Sequence, residues 1–493
     1  MSQITPFALL TNGTALPWAD VPEWPLQEFL RNVGDELDRG ERLSNLFGVP
    51  EGGALRLVAV LAFDAGNTLA VGRSHPFSGS FPSLTPTHPQ AHLFEREIWE
   101  QHGARPEGHP WLKPVRKDHG DGPAVGDFFR VDGREIHEVA VGPVHAGIIE
   151  PGHFRFQCAG EEVLHLEIAL GYQHRGIEEA LAGGPHRATV YQMETAAGDT
   201  TIAHATAYAS AMEALAGTEA PLRAQWLRAV ALELERLANH TGDLGALAGD
   251  VAFLPTSAAC GKIRGDFLNL TALLCGNRFG RGLVRPGGCP HDADAERLDK
   301  LRARLETSLA EVQQAAAWLW DAASVRTRFE HTGTLHAKQA IEIGLVGPAA
   351  RACGLVRDVR FDHPAGWYRF AQVPVSVWPD GDVFARARVR WLEIQRSGEF
   401  LREQLNAAPE GEALSPLPTL ASDTLAVALV EGWRGEVCHV ALTGADGRLR
   451  RYKITDPSFH NWTGLALALR RQAISDFPLC NKSFNLSYCG FDL

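Results

Sequence analysis

Polar side chains that can transfer protons or bind anions are concentrated in one stretch of the sequence, residues 142–215. Most of them lie beside glycines and prolines, and so at turns and element ends, where a rigid scaffold can direct polar groups into a shared pocket. They are His145, Glu150, His153, Arg175 and His204. The sequence therefore predicts that this stretch forms the wall of a functional site.

Spacing excludes several other chemistries. The chain contains neither a Gly-x-Gly-x-x-Gly nor a Gly-x-x-x-x-Gly-Lys-Ser/Thr motif, so neither a Rossmann nor a Walker phosphate site is encoded. Its 8 cysteines include no Cys-x-x-Cys pair, the motif that is usual in zinc, iron–sulfur and redox-disulfide sites. We therefore expect no thiolate-ligated metal in this chain.

Length, charge and cysteine usage narrow the class of protein. A chain of 493 residues suits two domains, and its net charge of -12 leaves no basic excess for nucleic acid. Residues 1–20 lack the pattern of a secretory signal, and no apolar run approaches the roughly 20 residues of a membrane span. The irregularly spaced cysteines favour reduced thiols in a cytosol. We expect contact with a membrane only through partners.

Residues 1–116 are predicted to form a small α/β domain. Residues 22–38 have amphipathic helical spacing, residues 55–63 are typical of a buried strand, and residues 91–102 are typical of an exposed helix with local ion pairs. Glycines and a proline punctuate residues 117–129, which are predicted to be a linker.

Residues 130–493 are predicted to form a large, mainly α-helical bundle domain with peripheral β-strands. Apolar residues recur on one helical face in residues 221–240 and 296–320, and residues 436–453 are typical of a hairpin. Residues 476–493 are predicted to be an irregular tail. The predicted fold class is therefore α+β.

Motifs in a recognisable order run through nearly the whole chain. In residues 130–493 they are Gly142-Pro143-Val144-His145, Glu150-Pro151-Gly152-His153-Phe154-Arg155, His174-Arg175-Gly176, 233–240, 285–288, Asp362-His363-Pro364, 431–436 and Asn461-Trp462. In residues 1–116 they are 95–100 and 108–112. With these motifs the second domain resembles the large subunit of membrane-bound, energy-converting NiFe hydrogenases of the formate-hydrogenlyase type, and the D-type subunit of NADH:quinone oxidoreductase (respiratory complex I). The first domain is similar to the complex I C-type subunit, and fusion of the two is typical of the hydrogenase branch.

Departures from that family determine the expected chemistry. Such hydrogenases hold nickel and iron with four thiolates in two Cys-x-x-Cys pairs, because soft metals need soft sulfur ligands. The matching positions in this chain are Ala197, Thr200, Ser487 and Gly490. Cys480 and Cys489 lie near the second pair without restoring it. The resemblance thus implies no NiFe centre here.

The quinone site of complex I is matched only in part. There a histidine and a tyrosine face the quinone head group. The tyrosine position falls on Gly198, and the histidine position falls on Glu150 or Pro151, about where hydrogenases place a proton-transferring glutamate. Glu150 thus resembles that proton carrier, a role that burial would support by raising its pKa. The alternative is a loop carboxylate that caps nearby amides.

The resemblance implies roles for two further charged residues. Arg175 matches an arginine beside the terminal iron–sulfur cluster of the neighbouring small subunit, where a fixed positive charge favours the reduced cluster. The alternative is a structural ion pair with Glu178, one turn on. Asp250 falls on an acidic residue that pairs with the quinone histidine in complex I.

The remaining candidates are assigned to the same cavity. His145, His153 and His204 either line it or are buried histidines with satisfied hydrogen bonds. Expected on its rim are Arg281, Arg285, Asp362 and His363. The catalytic candidates are therefore Glu150, His153, Arg175 and Asp250. The binding candidates are His145, His204, Arg285, Asp362 and His363.

The resemblance implies a large subunit of a membrane-associated, hydrogenase-related, complex I-like oxidoreductase complex. Its cavity would lie beside the partner's iron–sulfur cluster and would serve electron and proton transfer or coupling without a NiFe centre. Two alternatives stay open. One is a quinone or other small-acceptor reductase subunit of the NADH dehydrogenase type, and the other is a redox-inactive structural scaffold.

The same resemblance implies the partners. They are an iron–sulfur small subunit of the B type found in complex I, a ferredoxin-like iron–sulfur subunit and antiporter-like membrane subunits. Iron–sulfur clusters would sit in those partners, this chain would bind no cofactor of its own, and a quinone would enter only in the reductase alternative. We expect the chain in the cytoplasm, peripheral on the inner face of the cell membrane, with no nucleic-acid partner.

Overall fold

The computed structural model describes residues 5–116, 128–145, 147 and 149–493. The strands are β1 (Ala8–Leu10), β2 (Thr14–Pro17), β3 (Glu23–Trp24), β4 (Arg42–Glu51), β5 (Ala54–Phe63), β6 (Thr68–Ser74), β7 (Ser80–Pro82), β8 (Arg105–Glu107), β9 (Ile136–Val141), β10 (His153–Ala159), β11 (Glu162–Ala169), β12 (Thr424–Gly432), β13 (Gly435–Thr443) and β14 (Leu449–Thr455). The helices are α1 (Leu26–Asp38), α2 (His92–His102), α3 (Ile177–Ala180), α4 (Thr189–Glu194), α5 (Thr201–Leu215), α6 (Leu222–Asp250), α7 (Leu254–Cys275), α8 (Ala295–Asp321), α9 (Ala323–Phe329), α10 (Ala337–Glu342), α11 (Gly347–Arg351), α12 (Val359–Asp362), α13 (Val383–Asn406), α14 (Pro457–Ala468), α15 (Phe477–Phe484) and α16 (Tyr488–Phe491).

The N-terminal region is built on an antiparallel sheet with the strand order β1-β6-β5-β4, to which β3 adds a short parallel pairing with β6. Helix α1 begins directly after Pro25, a residue whose fixed φ suits a helix start. Its apolar side chains Phe29, Leu30 and Val33 share one core with the sheet. The helix and strand predicted at residues 22–38 and 55–63 are therefore confirmed as α1 and β5.

Long helices form the centre of the molecule. Helix α6 packs between α7 and α13, and α8 packs against α7 and α13. Helix α6 is buried along most of its length and runs to Asp250, well past the predicted end at residue 240, because its apolar and small residues continue. Peripheral to this bundle lies the antiparallel sheet β11-β10-β9. The α+β fold class is confirmed.

One sheet joins the two halves of the sequence. Its strand order is β14-β13-β12-β2, so a strand near the N-terminus forms its edge. Strand β2 pairs antiparallel with β12, with Thr14 opposite Val427 and Pro17 opposite Thr424. The side chain of Asn12 extends this pairing, because it accepts from the Leu429 amide at 2.7 Å and donates to the Leu429 carbonyl at 2.9 Å.

Two predictions of exposed or irregular structure are wrong. Glu95 and Glu97 of α2 are buried. Glu95 accepts hydrogen bonds from the Thr85 hydroxyl and the Leu84 amide, and Glu97 pairs with Lys453 at 2.8 Å. Residues 476–493 form α15 and α16 and are largely buried against the rest of the chain.

The boundary of the two predicted domains falls mostly outside the described ranges. Of the predicted linker, residues 117–129, only Phe128 and Phe129 are described. Within the described ranges, no helix combines the length and apolar character that a membrane span requires.

Candidate functional site

Two segments that are far apart in sequence lie side by side, and Arg175 joins them. They are the α4–α5 loop (residues 195–200) and the C-terminal turn (residues 487–490). Arg175 Nη1 donates to the carbonyl of Thr195 at 2.7 Å, while Nη2 donates to the next carbonyl at 2.9 Å and to that of Cys489 at 3.5 Å. The positions aligned with metal ligands, Ala197, Thr200, Ser487 and Gly490, are thus brought to one region.

Arg175 does not make the structural ion pair that the alternative predicted. Glu178 accepts from Lys453 Nζ at 2.7 Å and from the Ile454 amide at 3.1 Å. The guanidinium of Arg175 is bound only to carbonyl oxygens among the contacts of the described residues, and the residue is exposed. A positive charge therefore lies at the surface beside both segments.

Glu150 contacts the C-terminal turn. Its Oε2 accepts from the amide of Cys489 at 3.2 Å, so the amide capping of the alternative interpretation is present. Burial raises the pKa of the Cys489 thiol to about 11, and the neighbouring charge of Glu150 adds to this. The hydroxyl of Ser487 lies 3.4 Å from Cys489 Sγ and accepts from the Gly490 amide at 2.9 Å. A carboxylate, a thiol and a hydroxyl therefore cluster at this turn.

One of the candidate histidines, His145, contacts the C-terminal turn, and His153 packs elsewhere. Tyr488 Oη is 3.4 Å from His145 Nε2, and the His145 ring also packs against Phe154. His153 starts β10 and packs its ring on Phe128, and its Nε2 is buried with no partner among the described residues. Burial lowers the pKa of both imidazoles. His145 and His153 are therefore uncharged near neutral pH.

The third candidate histidine is part of a fully buried chain of hydrogen bonds. His204 Nε2 lies 3.0 Å from Asp456 Oδ2, and His204 Nδ1 lies 3.1 Å from His439 Nε2. His439 Nδ1 lies 2.7 Å from Tyr452 Oη. His204 holds the pKa of Asp456 below its usual value, and burial keeps His439 neutral by lowering its pKa. The chain thus runs from a carboxylate through two imidazoles to a phenol.

The α4–α5 loop is held in place by the turn between β12 and β13. Arg434 donates to the two oxygens of Asp199 at 2.6 and 2.8 Å and to Thr200 Oγ1 at 3.2 Å. Trp433 Nε1 donates to the Asp199 carbonyl at 3.0 Å. The Arg434 guanidinium holds the pKa of Asp199 below its usual value.

A buried carboxyl group lies beneath the start of α5. Glu235 on α6 accepts from the Ile202 amide at 2.8 Å through Oε2, while its Oε1 is buried with no partner among the described residues. Burial raises the pKa of Glu235 to about 8, and the nearby charge of Asp199 adds to this. Glu235 is therefore neutral at physiological pH.

The other candidates lie in different surroundings. Arg285 pairs with Glu194 and lies over the Tyr191 ring, and Arg281 is an exposed neighbour on the same connector. Asp250 is exposed at the end of α6.

Asp362 and His363 contact the N-terminal region and α12. Asp362 accepts from the Asp358 amide at 2.8 Å, and His363 Nε2 lies 2.9 Å from Asp64. The contacts of the described residues join Glu150, Arg175 and His145 to the C-terminal turn, but they do not join Asp362 or His363 to it.

Sequence reasoning missed Asp199, Arg434 and Asp456. Asp199 stands inside the aligned loop, and Arg434 stands inside the motif at residues 431–436, so both could have been proposed as partners of the loop. Asp456 before Pro457 has the pattern of a helix N-cap, and it does accept from the Ser458 amide at 2.8 Å. Its second contact, with His204, had no sequence signal.

The residues at the aligned metal positions do not fit a nickel–iron centre. A methyl group, two hydroxyls and a glycine offer no soft donors. A Cβ atom at Gly490 would lie 2.6 Å from Asp456 Cγ, so this carboxylate occupies the space that a side chain there would need. Among the described residues, no three His, Cys, Asp or Glu side chains converge as metal ligands.

This fold, with a loop and a C-terminal turn meeting beside buried histidines and carboxylates, defines a large subunit of the hydrogenase and complex I class. Residues 250–424 match the family described as the respiratory-chain NADH dehydrogenase 49 kDa subunit, and residues 20–123 match the 30 kDa subunit.

Individual relatives place the chain within this class. It is 30% identical over 357 residues to the carbon monoxide-induced hydrogenase of Rhodospirillum rubrum, covering 71% of this chain and 97% of that one. It is 29% identical to formate hydrogenlyase subunit 5 of Escherichia coli (strain K12), covering 83% and 76%. The chain therefore belongs to the family of hydrogenase large subunits related to complex I, as the motifs predicted.

A solved structure has the same fold. A chain of the membrane-bound sulfane sulfur reductase, an archaeal respiratory membrane complex, superposes with a TM-score of 0.69 at 23% sequence identity. The likeness covers 74% of this chain and 100% of that one.

Proposed function

We propose that this chain is the large subunit of a membrane-associated, complex I-like redox complex whose site works without a nickel–iron centre. The observation that carries this proposal is the contact of Glu150 with the C-terminal turn. A carboxylate, a thiol and a hydroxyl occupy the region where relatives of the hydrogenase branch would present metal ligands. The site keeps groups that handle protons and lacks the donors that hold soft metals.

Glu150 is the proposed proton carrier of the site. Its carboxylate is half-buried and touches the amide of Cys489, so it can exchange a proton between solvent and the C-terminal turn. Neutral His145 lies 3.4 Å from the Tyr488 hydroxyl of the same turn and can donate or accept a hydrogen bond.

Arg175 is the proposed contact point for electron transfer. Its exposed guanidinium is fixed by three carbonyl oxygens, two on the α4–α5 loop and one on the C-terminal turn. A fixed positive charge at this surface would favour the reduced, more negative form of an iron–sulfur cluster in a partner subunit. We propose iron–sulfur partners of the B-like and ferredoxin-like types, antiporter-like membrane subunits, and a position on the cytoplasmic face of the membrane.

The complex purified through a tag on this chain provides the test. We expect iron in the partners, no stoichiometric nickel, and reductase turnover that falls at least tenfold in Glu150→Gln and in Arg175→Ala. Quinone, protons and polysulfide should be compared as acceptors, the last because the structural neighbour is a sulfane sulfur reductase. Glu161→Gln and Arg187→Ala, which change exposed residues elsewhere, should leave turnover unchanged.

Other outcomes select the alternatives. Turnover with quinone alone, lost in both variants, would establish the quinone reductase. Unchanged turnover in both variants would favour a structural scaffold and overturn the proposed roles. One nickel per chain together with hydrogen evolution would overturn the proposal altogether.

A further inference from the structure

A second buried polar region lies on the other side of the β12–β13 turn, among α6, α11, α12 and α13. Its carboxylates are Glu233, Asp358, Glu393 and Glu431. Its guanidinium groups are those of Arg236, Arg351 and Arg360. All of these side chains are 3% exposed or less. We call these residues, together with His240, the ionic network.

Most of its charges have several partners. Glu233 accepts from both Arg360 and Arg236 and from the hydroxyls of Tyr368 and Ser397. The Arg360 guanidinium in turn donates to the Asp358 carboxylate through Nε at 2.9 Å and through Nη2 at 2.6 Å.

Glu393 is equally well compensated. It accepts from Arg351 Nε at 2.9 Å, and its Oε2 lies 2.8 Å from His240 Nε2. Arg351 holds the pKa of Glu393 well below its usual value, and burial lowers that of His240. Glu393 is therefore the ionised partner and His240 the neutral one.

The charges of the ionic network do not balance. With His240 neutral, four carboxylates, Glu233, Asp358, Glu393 and Glu431, face three guanidinium groups. Glu431 has the smallest share of the positive charge. It receives one bond from Arg351 Nη1 at 2.8 Å and one from the Val359 amide at 3.0 Å. An unbalanced buried carboxylate is costly, so binding one proton there would restore neutrality.

A cavity lies beside Glu431. Its volume is about 60 Å³, enough for a few water molecules at the 10–15 Å³ that each requires. Glu431, Arg360, His363 and Thr206 line it, and half-buried Trp367 forms part of its outer wall. His363 Nδ1 and Thr206 Oγ1 are buried with no partner among the described residues, which is the setting in which ordered water is found.

We propose that Glu431 is a proton-binding site that takes up and releases one proton through this cavity. The step is a simple protonation, in which hydronium in the cavity transfers its proton to a Glu431 carboxylate oxygen and leaves water. The site does not depend on which acceptor the complex reduces.

The charged groups around Glu431 set the range of pH in which this occurs. Burial and the nearby charge of Asp358 raise the pKa of Glu431, and Arg351, Arg236 and Arg360 lower it, which leaves it at about 7. Arg228, neutralised by Glu213, also lines the cavity. His363 on the wall is paired with Asp64, and the hydroxyl of Tyr368, which also lines the cavity, donates to Glu233.

The position of Glu431 links this site to the candidate functional site. Arg236 donates to the carbonyls of Glu431 at 2.7 Å and Gly432 at 3.0 Å. Gly432 begins the turn whose Arg434 holds Asp199 of the α4–α5 loop. A proton on Glu431 therefore changes the charge directly behind the turn that positions this loop.

Infrared spectroscopy of the full-length chain tests the proposal, because a protonated carboxylic acid has a C=O band that is separate from carboxylate bands. In the wild type we expect a component that grows as the pH falls, with a midpoint near 7. Glu431→Gln should remove it. Glu431→Asp keeps a carboxyl but draws it away from Arg351 and Val359, so the midpoint should move upward.

Matched variants separate this component from other buried acids. Glu235→Gln should remove a different component, with a midpoint near 8, and leave that of Glu431 in place. Exposed Glu399→Gln should change nothing. If the component near pH 7 persists with the same midpoint in both Glu431→Gln and Glu431→Asp, Glu431 is not the proton-binding site. Since Asp retains the charge, the Glu431→Asp measurement decides the matter even if Glu431→Gln does not fold.

Discussion

The candidate site and the ionic network lie on opposite sides of the β12–β13 turn and are built differently. At the candidate site, Arg175 contacts carbonyl oxygens, and Glu150 contacts an amide. In the ionic network, Arg351 and Arg360 contact carboxylates directly, and their partners are as deeply buried as they are.

The two regions differ in which side chains the fold can exchange. A bond to a backbone atom survives when the side chain at that position changes, so the bonds of Arg175 to the α4–α5 loop and to the C-terminal turn do not depend on which side chains stand at Ala197 and Ser487. A buried charge pair depends on both side chains, and loss of one leaves the other uncompensated. The site is therefore open to new chemistry and the network is not.

The largest expected effect comes from breaking the network. Arg351→Ala leaves Glu393 and Glu431 without their main cation, and we expect a loss of about 3–5 kcal/mol in the free energy of unfolding. Urea titration measures it. The matched control is Arg396→Ala, which removes an exposed pair with Glu399 and should cost about 0–1 kcal/mol. Equal losses in the two variants would show that breaking these buried ion pairs destabilises the fold no more than breaking an exposed pair.

Glu235 should make stability fall as pH rises. The folded chain keeps this proton up to about pH 8, whereas in the unfolded chain the ordinary pKa is 4.5. Between these values the folded state binds more protons, so raising the pH lowers the free energy of unfolding. Glu235→Gln abolishes this dependence on pH. The free energy of unfolding of the variant minus that of the wild type should therefore increase by on the order of 3 kcal/mol between pH 5 and pH 8. A constant difference across this range would contradict a raised pKa in the folded state.

Gly490 tests how tightly the C-terminal turn packs. Gly490→Ala places a Cβ atom 2.6 Å from Asp456 Cγ, and we expect a loss of about 1–3 kcal/mol by thermal or urea unfolding. The control is Gly261→Ala on α7, where a Cβ atom meets nothing within 4 Å. Alanine is the better helix former, so this variant should be stabilised by about 0.5–1 kcal/mol. A harmless Gly490→Ala would mean that Asp456 can move aside.

The smallest expected effect is that of Arg175→Ala on stability. The residue is exposed and its bond to the Thr195 carbonyl lies at the surface, so we expect a loss of about 1 kcal/mol or less. Activity of the complex should nevertheless fall, as described above. Arg187→Ala is the control for both measurements. A loss as large as that of Arg351→Ala would remove the contrast between the two regions.

Sequence patterns predicted the family, the fold class and the long elements, because these depend on local periodicity and on motif order. Helices α1 and α8 appear where apolar residues recur on one face. The pattern misjudged α2, whose Glu95 and Glu97 look like a solvated pair but are buried by partners that are distant in sequence. The sequence shows that a residue is charged, but it does not show which distant residue the charge will pair with.

The candidate site could be predicted as a region but not as a set of contacts. Motifs located Glu150, Arg175 and the aligned metal positions, and the structure brings them together. Asp456 reaches His204 across 252 positions of sequence, a distance that no local pattern spans. The ionic network was missed for the same reason, since its members come from four helices and one strand.

The pairing of β2 with β12 has a consequence for how such a protein can be made. If the two halves were separate polypeptides, the first would have to donate β2 to the sheet of the second. Until β2 was bound, β12 would be an unpaired edge strand, and unpaired edge strands promote aggregation. Fusion places the donor strand on the same molecule, at the millimolar effective concentration typical of tethered segments. One translated chain therefore delivers both halves in equal number and protects the exposed edge as it folds.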